Sequence, residues 1–180
     1  TQAIKHNTDI YLTQLNQLTE QRILTPYIGY LGANIAYTNE LKSEAKAWLE
    51  DFSLPTDNLK SLLLYSDILW SLNDTQAALK HIQDLYIHNN ENPIIIRKLA
   101  FRLYEKYENI AALKIFNQLK ISDYKSSDFI IKARILITLK KNKEALNNLA
   151  EGIEYWPNNT ELRLLMARAL LANDQIERSK

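Results

Sequence analysis

The sequence contains no cysteine, and it has only three glycines and four prolines among its 180 residues. Without cysteine the chain can form neither a disulfide framework nor a thiolate metal site, and it has no cysteine nucleophile. The glycines Gly29, Gly32 and Gly152 are not clustered, which excludes a phosphate-binding loop and a dinucleotide fingerprint. The shortage of turn-forming residues argues against a many-stranded sheet and favours a helical chain.

Long apolar runs are also absent. The strongest are Leu62-Leu63-Leu64 and Ile94-Ile95-Ile96, which are far shorter than the roughly 18 residues needed to cross a bilayer. The first residues lack the charged-then-apolar pattern of a signal peptide, and Thr1 is not an initiator methionine, so we expect Thr1 to mark a processing or cloning boundary. A chain without cysteine is compatible with the cytoplasm and with a bacterial periplasm, so the compartment stays open.

The formal net charge of +1 conceals an uneven distribution of charge along the chain. Residues 1–92 carry 6 basic and 11 acidic side chains, residues 93–150 carry 12 and 5, and residues 151–180 carry 4 and 5. The middle segment is therefore strongly basic and the N-terminal segment acidic. A solvated helix surface would explain this pattern. The alternative is a partner of complementary charge, such as an acidic peptide, steered to residues 93–150.

Small residues recur at a regular interval along most of the chain. The first series is Ala33, Ser66, Ala100, Ala133 and Ala167, and the second, 12 residues behind it, is Ala45, Ala78, Ala112, Ala145 and Ser179. Both series have intervals of 33, 34, 33 and 34 residues. A period of this length indicates an array of supersecondary units that bury their apolar faces against one another.

The residues around each small position predict a pair of helices. Near Ala133, apolar residues at helical spacing precede Lys140, and a second apolar stripe then runs from Ala145 until Pro157 ends the pattern. We expect the small residues to mark the closest approach of paired helices, where a larger side chain would strain the packing. The turn-forming pairs Asn73-Asp74 and Asn173-Asp174 each predict a turn and a helix start. Helices are predicted over residues 27–38, 41–53, 59–72, 75–89, 94–107, 109–121, 127–140, 143–155 and 160–172.

These units resemble tetratricopeptide repeats, whose pattern is W-x2-L-G-x2-Y, then A-x3-F, then P. The residues that carry the resemblance are Phe129, Lys132-Ala133, Leu136, Ala145, Leu149 and Pro157; Ile96, Leu99-Ala100, Leu103, Ala112 and Phe116; Leu62, Tyr65-Ser66, Leu69, Ala78 and Ile82; Gly29, Gly32-Ala33, Ala36, Ala45 and Leu49; and Arg163, Met166-Ala167 and Leu170. The repeats are degenerate, because the large aromatic residue is missing at Gly29 and Arg163, and the closing proline is clear only at Pro157.

The resemblance covers about residues 26–180 and implies an all-α fold. We expect a right-handed superhelical solenoid of antiparallel helix pairs, with about four and a half repeats that start near residues 26, 59, 93, 126 and 160 and form one continuous domain. Residues 1–25 are predicted to form a capping helix or the remnant of a preceding repeat. The last unit ends before its second helix, so we expect either that more chain follows in the natural protein or that the tail caps the array. Self-association through the apolar helix face at this C-terminal end is a further alternative.

The resemblance also implies a function, that of a non-catalytic scaffold holding a peptide or protein segment in a concave groove. For any one aromatic residue of this groove, packing against the adjacent repeat is the alternative role. Tyr30 stands where a lysine would be expected beside Asn34 in relatives that clamp a C-terminal carboxylate, so we do not expect that ligand. The groove residues carried over from the family are Tyr27, Tyr30, Asn34, Tyr37, Leu63, Asp67, Trp70, Arg97, Phe101, Tyr104, Ile130, Arg134 and Arg168.

The sequence offers no set of residues suited to catalysis. Of the three histidines, His81 and His88 lie seven residues apart with only Asp84 nearby, which is too small a set for a metal ion. We therefore expect neither enzymatic activity nor a metal or cofactor. Two other functions stay open: a regulatory or docking segment of a longer enzyme, signalling or cell-envelope assembly protein, and the binding of single-stranded RNA. The basic middle segment favours RNA binding, and the acidic N-terminal half opposes it.

Overall fold

The computed structural model describes residues 10–17, 26–51 and 58–178, and within these ranges the regular structure is helical, with no strand. Residues 10–17 are helical, and we call this segment α1. A short 3-10 helix covers Ile121–Asp123. The α-helices that follow α1 are α2 (Pro26–Thr38), α3 (Lys42–Asp51), α4 (Leu59–Ser71), α5 (Thr75–His88), α6 (Pro93–Glu105), α7 (Asn109–Phe116), α8 (Ser126–Thr138), α9 (Asn142–Tyr155) and α10 (Thr160–Arg178).

Most predicted helix boundaries agree with the structure to within a residue or two, but the predicted end of α7 was wrong. The sequence predicted a helix to residue 121, whereas α7 ends at Phe116. The chain then turns so that Leu119 and Tyr124 are buried, and the Tyr124 hydroxyl donates a hydrogen bond of 3.3 Å to the Phe116 carbonyl oxygen. The buried side chains therefore favour an early stop, and the hydroxyl satisfies one carbonyl at the helix end.

The four turns within helix pairs have the same backbone conformation. Each contains a residue with a positive φ of 59–65°, and these residues are Glu40, Asn73, Tyr107 and Lys140. The next residue donates its N–H back across the turn, at 2.9, 3.0, 2.9 and 2.8 Å, to the carbonyls of Ala36, Leu69, Leu103 and Leu136. This is the hydrogen-bond pattern of the Schellman motif. The positive-φ residues lie 33, 34 and 33 residues apart, so the backbone geometry has the same period as the sequence.

The prediction of a turn at Asn173-Asp174 was also wrong, because α10 continues to Arg178. Position 174 is in register with the left-handed residues of the other pairs, yet among the described residues none in α10 has a positive φ. A turn-forming dipeptide is a weak local preference, and here the helical conformation overrides it.

The chain divides into two compact units, Thr1–Ile82 and Gln83–Lys180. The core of the first unit joins α1 to the helices that follow it, since Leu12 packs in the same cluster as residues of α2, α3 and α4. The predicted N-terminal helix is thus described over residues 10–17 alone, and its remainder lies outside the described residues. The buried cluster consists of Leu12, Ile28, Ala33, Ala36, Ala45, Trp48, Leu49 and Ile68.

Hydrogen bonds and ring contacts also fix the helices of the first unit. The Asn58 side chain accepts from the N–H groups of Lys60 and Ser61 and caps α4. The His81 ring on α5 donates from Nε2 to the Leu62 carbonyl at 3.0 Å and packs edge-on against Tyr65, with ring centroids 5.2 Å apart. The Tyr65 hydroxyl donates to Glu50 at 2.7 Å. The pKa of Tyr65 is raised to about 12, mainly because the side chain is partly buried and secondly because of this hydrogen bond.

The core of the second unit is built around Phe129, which is fully buried. Its ring centroid lies 4.8 Å from that of Tyr124 and 5.6 Å from that of Trp156. Gly152 allows α9 to approach, because a Cβ there would lie 2.9 Å from Phe129 Cγ. The Asn148 side chain donates to the Phe129 carbonyl at 2.8 Å, so the one buried amide in this contact is hydrogen-bonded.

Eight of the small residues in the two series are fully buried, as close packing of paired helices requires. Ala167 in α10, which lies in the unit predicted to end before its second helix, is exposed. The buried positions are Ala33, Ser66, Ala100, Ala133, Ala45, Ala78, Ala112 and Ala145. Ser179 lies outside the described residues.

Candidate peptide-binding surfaces

The first helices of successive repeats are neighbours within each unit. Helix α2 contacts α4 in the first unit, and α8 contacts both α6 and α10 in the second. The predicted site residues therefore form two sets on adjoining helices. The first-unit surface comprises Tyr27, Tyr30, Asn34, Tyr37, Leu63, Asp67 and Trp70, and the second-unit surface comprises Arg97, Phe101, Tyr104, Ile130, Arg134 and Arg168.

Tyrosine dominates the α2 side of the first-unit surface. Tyr27, Tyr30 and Tyr37 fall on one side of the helix together with Asn34, as the spacing of three, seven and ten residues requires. Tyr27 is 62% exposed, whereas the other three residues are half-buried. Tyr37 also packs against the core cluster. The α2 face thus combines anchored aromatic rings with aromatic area open to solvent.

The α4 side of the first-unit surface is more involved in the fold itself. Leu63, Asp67 and Trp70 are all half-buried, and each takes part in an interaction within the chain. Trp70 therefore has an interaction within the chain in addition to its partly exposed surface. A peptide at this surface would contact the remaining exposed area of these side chains next to the tyrosines of α2.

Arg97 in the second unit is held by an internal ion pair. Its Nε lies 2.9 Å from both carboxylate oxygens of Asp128, and its Nη2 donates to the Asp123 carbonyl at 2.6 Å. Asp128 is fully buried and also accepts the N–H of Lys125 at 2.8 Å, which caps the start of α8. The structure therefore gives Arg97 an intramolecular role, and a contact with a partner would have to coexist with it.

The other residues of the second-unit surface differ in how much they offer to a partner. Ile130 is only 7% exposed and belongs to the core. The Phe101 and Tyr104 rings are half-buried with centroids 6.5 Å apart. Arg134 is exposed but pairs with Glu161 at 2.8 Å, and Arg168 is exposed on α10. The predicted cations at this surface are thus partly engaged by carboxylates of the same chain.

Asp128 is the residue that the sequence analysis missed. It lies in repeat register with Ile28, Ser61, Ile95 and Leu162, all of which are buried. An acidic residue at a position that is otherwise apolar or small signals a buried charge, which requires a cation nearby. That signal is present in the sequence, but it does not identify Arg97 as the partner, since the two residues are 31 positions apart.

A separate cleft of about 370 Å³ opens in the second unit where α7 stops early. Its floor includes Ile96 and Leu119, both buried, and its rim carries amide and charged side chains. None of the predicted site residues lines it. The lining residues are Asn90, Glu91, Pro93, Ile96, Gln118, Leu119, Lys120 and Asp123.

In residues 10–17, 26–51 and 58–178, no group of three or more histidine, aspartate or glutamate side chains could hold a metal ion. None of the helices described is both long enough and apolar enough to span a membrane.

Stacked helix pairs, a left-handed turn residue in each pair and a period of 33–34 residues define a helical-repeat protein. Residues 136–180 match the family model described as tetratricopeptide repeat. Together with the solved structures of the same fold, this match confirms the predicted all-α, tetratricopeptide-like fold class. No curated protein matches the sequence.

Solved structures share the fold at low sequence identity. The C-terminal part of a TPR repeat-containing protein from Cytophaga hutchinsonii is 18% identical, with a TM-score of 0.81 over 96% of this chain and 69% of that one. A tetratricopeptide repeat protein from Parabacteroides merdae is 15% identical, with a TM-score of 0.78 over 97% and 70%. YrrB, described as a TPR protein with an unusual peptide-binding site, is 17% identical, with a TM-score of 0.70 over 94% and 84%.

Proposed function

We propose that this protein is a non-catalytic scaffold that binds a peptide or protein segment, and that the first-unit surface makes the main contact. The observation that carries the proposal is the row of tyrosines on one face of α2, with Tyr27 62% exposed. Tyrosine supplies a large contact area at low entropic cost, and its hydroxyl can hydrogen-bond to a peptide backbone. Anchors of this kind carry most of the binding energy in protein interfaces.

The family and one structural relative support this proposal. Tetratricopeptide repeat proteins are interaction scaffolds in general, and YrrB has the same fold and a peptide-binding site. An extended segment lying across α2 and α4 would meet aromatic area from the first helix and half-buried side chains from the second.

An acidic partner is the second form of this proposal, and it rests on the basic residues 93–150. Ion pairs within the chain weaken it, because Arg97, Arg102 and Arg134 each lie within 2.6–2.9 Å of a carboxylate oxygen. We therefore expect the second unit to attract an acidic peptide less than its count of basic residues suggests. Binding that depended on these charges would weaken steeply as salt is added, since exposed charges more than about 8 Å apart are largely screened at physiological ionic strength.

The proposal can be tested with peptides selected from a random library on the wild-type protein. The affinity of a selected peptide is then measured for Tyr27→Ala, Tyr30→Ala and a matched control, Tyr107→Ala. Tyr107 is 87% exposed in the turn after α6, so the control removes the same side chain elsewhere on the surface.

Truncation of an interface anchor costs about 1 to 2 kcal/mol or more, so we expect about a tenfold weaker Kd for Tyr30→Ala and an unchanged Kd for Tyr107→Ala. Tyr27→Ala is expected to have a similar or smaller effect, because the ring is the most exposed of the row. Equal affinity of all three variants would contradict the assignment of this surface. Loss of binding only on addition of salt, with no effect of the tyrosine variants, would favour the acidic partner.

A further inference from the structure

Helix α7 departs from the regular geometry of the other helix pairs, and the cleft of about 370 Å³ lies where it does so. Helices α5 and α9 hold the same place in the neighbouring pairs and have 14 residues each, whereas α7 has 8. The segment between α7 and α8 is correspondingly long, covering residues 117–125, while residues 89–92 suffice between α5 and α6. Departures from a local pattern are expected at functional or strained sites.

The cleft has two walls and an apolar floor. One wall is formed by residues 90–93, at the start of α6, and the other by residues 118–123, after the end of α7. Ile96 and Leu119, which are 2% and 7% exposed, lie on the floor. Ligand pockets have volumes of about 300–1,000 Å³, so this cleft has room for one long side chain or a small molecule.

Hydrogen bonds hold the two walls in place. Arg97 donates from Nη1 to the Pro93 carbonyl at 3.3 Å and from Nη2 to the Asp123 carbonyl at 2.6 Å, which ties one wall to the other. The Tyr86 hydroxyl donates to the side chain of Gln118 on the second wall. The cleft is therefore formed before any ligand enters it, which reduces the entropic cost of binding.

Each wall carries one carboxylate. Glu91 is exposed on the first wall and Asp123 is half-buried on the second, and neither side chain forms an ion pair among the described residues. Lys120 is the cation among the lining residues, and the charge of the nearby Arg97 is balanced by Asp128. The lining therefore has one negative charge in excess, although residues 93–150 as a whole are basic.

We propose that this cleft binds an arginine side chain of a partner peptide, with the guanidinium between Glu91 and Asp123 and the aliphatic stem on Ile96 and Leu119. A guanidinium has five N–H donors in a planar fork, so it can donate to carboxylates on both walls. Arginine also buries its stem along apolar surface while its charged head stays hydrated. The cleft is separate from the first-unit surface, and the function proposed for that surface does not depend on it.

A lysine side chain fits this arrangement less well. Its ammonium group is a compact and strongly hydrated point charge, whereas the guanidinium is planar and more weakly hydrated. An anionic group would meet two carboxylates and only one cation, Lys120. The charges of the lining thus make opposite predictions for cationic and anionic ligands, and this difference provides the test.

The test ligand is Nα-acetyl-arginine amide, titrated into the full chain while backbone amide NMR shifts are recorded. A ligand of this size is expected to bind with a Kd of about 1 mM, with the largest shifts within residues 90–96 and 118–123. The matched control ligand is Nα-acetyl-citrulline amide, in which a neutral urea replaces the guanidinium. It should bind at least about threefold more weakly, because it lacks the charge.

Substitutions in the walls should change the Kd in opposite directions. Glu91→Gln and Asp123→Asn each remove one negative charge at nearly constant shape and should raise the Kd by about two- to fivefold. Lys120→Gln removes a like charge and should lower the Kd by about twofold. Glu108→Gln is the matched control, since Glu108 is exposed in the turn after α6 and does not line the cleft, and it should leave the Kd unchanged.

Three results would overturn the proposal. The amides of the cleft could stay unshifted at about 20 mM test ligand, far above the expected Kd. The citrulline ligand could bind as tightly as the arginine ligand, in which case the charge has no part in binding. Lys120→Gln could weaken binding while Glu91→Gln strengthens it, which would identify the cleft as a site for anions.

Discussion

Each of the two units has a polar residue at the same buried repeat position, but only one of these side chains is hydrogen-bonded. Ser61 in the first unit and Asp128 in the second are in register, and both are fully buried. Asp128 is satisfied by Arg97 and by the N–H of Lys125, whereas the Ser61 hydroxyl has no hydrogen-bond partner among the described residues. At this position, Asp128 therefore links two helices of the second unit through an ion pair, whereas the Ser61 hydroxyl of the first unit is unsatisfied.

This difference changes how the charge of the chain should be interpreted. The basic character of residues 93–150 suggests a surface that attracts anions, yet part of it stabilises the second unit itself through Arg97 and Asp128. The first unit has fewer basic residues and presents tyrosines on α2 instead. Net charge along a sequence counts residues, whereas binding depends on the groups that remain available at the surface.

The largest expected effect comes from replacing Asp128. Asp128→Ala removes the carboxylate that pairs with Arg97 and caps α8, and it leaves a partly buried guanidinium without its counter-ion. Breaking a buried pair in this way costs about 3 to 5 kcal/mol, and we expect the lower end because the Arg97 side chain is 18% exposed. The midpoint of urea unfolding measures the change.

Ser61→Ala is the matched substitution in the first unit. A buried hydroxyl without a partner costs about 1 to 3 kcal/mol, so its removal should be neutral or stabilise the protein by up to about 1 kcal/mol. Equal destabilisation by Asp128→Ala and Ser61→Ala would show that the contrast between the two units is wrong.

The next effect concerns the glycines at the helix contacts of the two units. A Cβ at Gly32 would lie 2.3 Å from the Trp48 ring of the first-unit core, whereas a Cβ at Gly152 would lie 2.9 Å from Phe129 in the second. Overpacking costs about 1 to 3 kcal/mol, and Gly32→Ala should lie at the upper end because the overlap is larger. Thermal unfolding of both variants tests the order, and a larger loss for Gly152→Ala would contradict it.

The smallest effect concerns the left-handed turn residues. Tyr107 has a φ of 61° and is 87% exposed, so Tyr107→Gly relieves backbone strain without removing a buried side chain. We expect a gain of about 0.5 to 1 kcal/mol. Asn73 in the first unit has nearly the same φ, 63°, but asparagine tolerates this conformation better, so Asn73→Gly should gain less. Urea unfolding of both variants gives the comparison, and a greater gain for Asn73→Gly would argue against strain as the cause.

The fold was largely predictable from the sequence because small residues recur in it at a regular interval among larger apolar residues. Alanine and serine at 33- and 34-residue intervals mark the helix contacts, and the period recurs in the positive-φ turns. The end of α7 was not predictable, since it depends on the burial of Tyr124 eight residues later. The extension of α10 past Asn173 shows that a turn dipeptide alone does not end a helix.

The candidate site was predictable only as a set of positions on the first helices. Their spacing places Tyr27, Tyr30 and Tyr37 on one face of α2, and the structure describes them as exposed or half-buried. The pairing of Arg97 with Asp128 requires α6 and α8 to pack together. No local pattern contains that information, so the groove position of Arg97, carried over from the family resemblance, did not predict its ion pair with Asp128.

The central claim is that a peptide binds across α2 and α4 of the first unit. The most direct test is to record backbone amide NMR shifts of the full chain during titration with a library-selected peptide. We predict that the largest shifts fall within Pro26–Thr38 and Leu59–Ser71 and that Tyr30→Ala reduces them at equal peptide concentration. Large shifts confined to the second unit, unaffected by Tyr30→Ala, would contradict the claim.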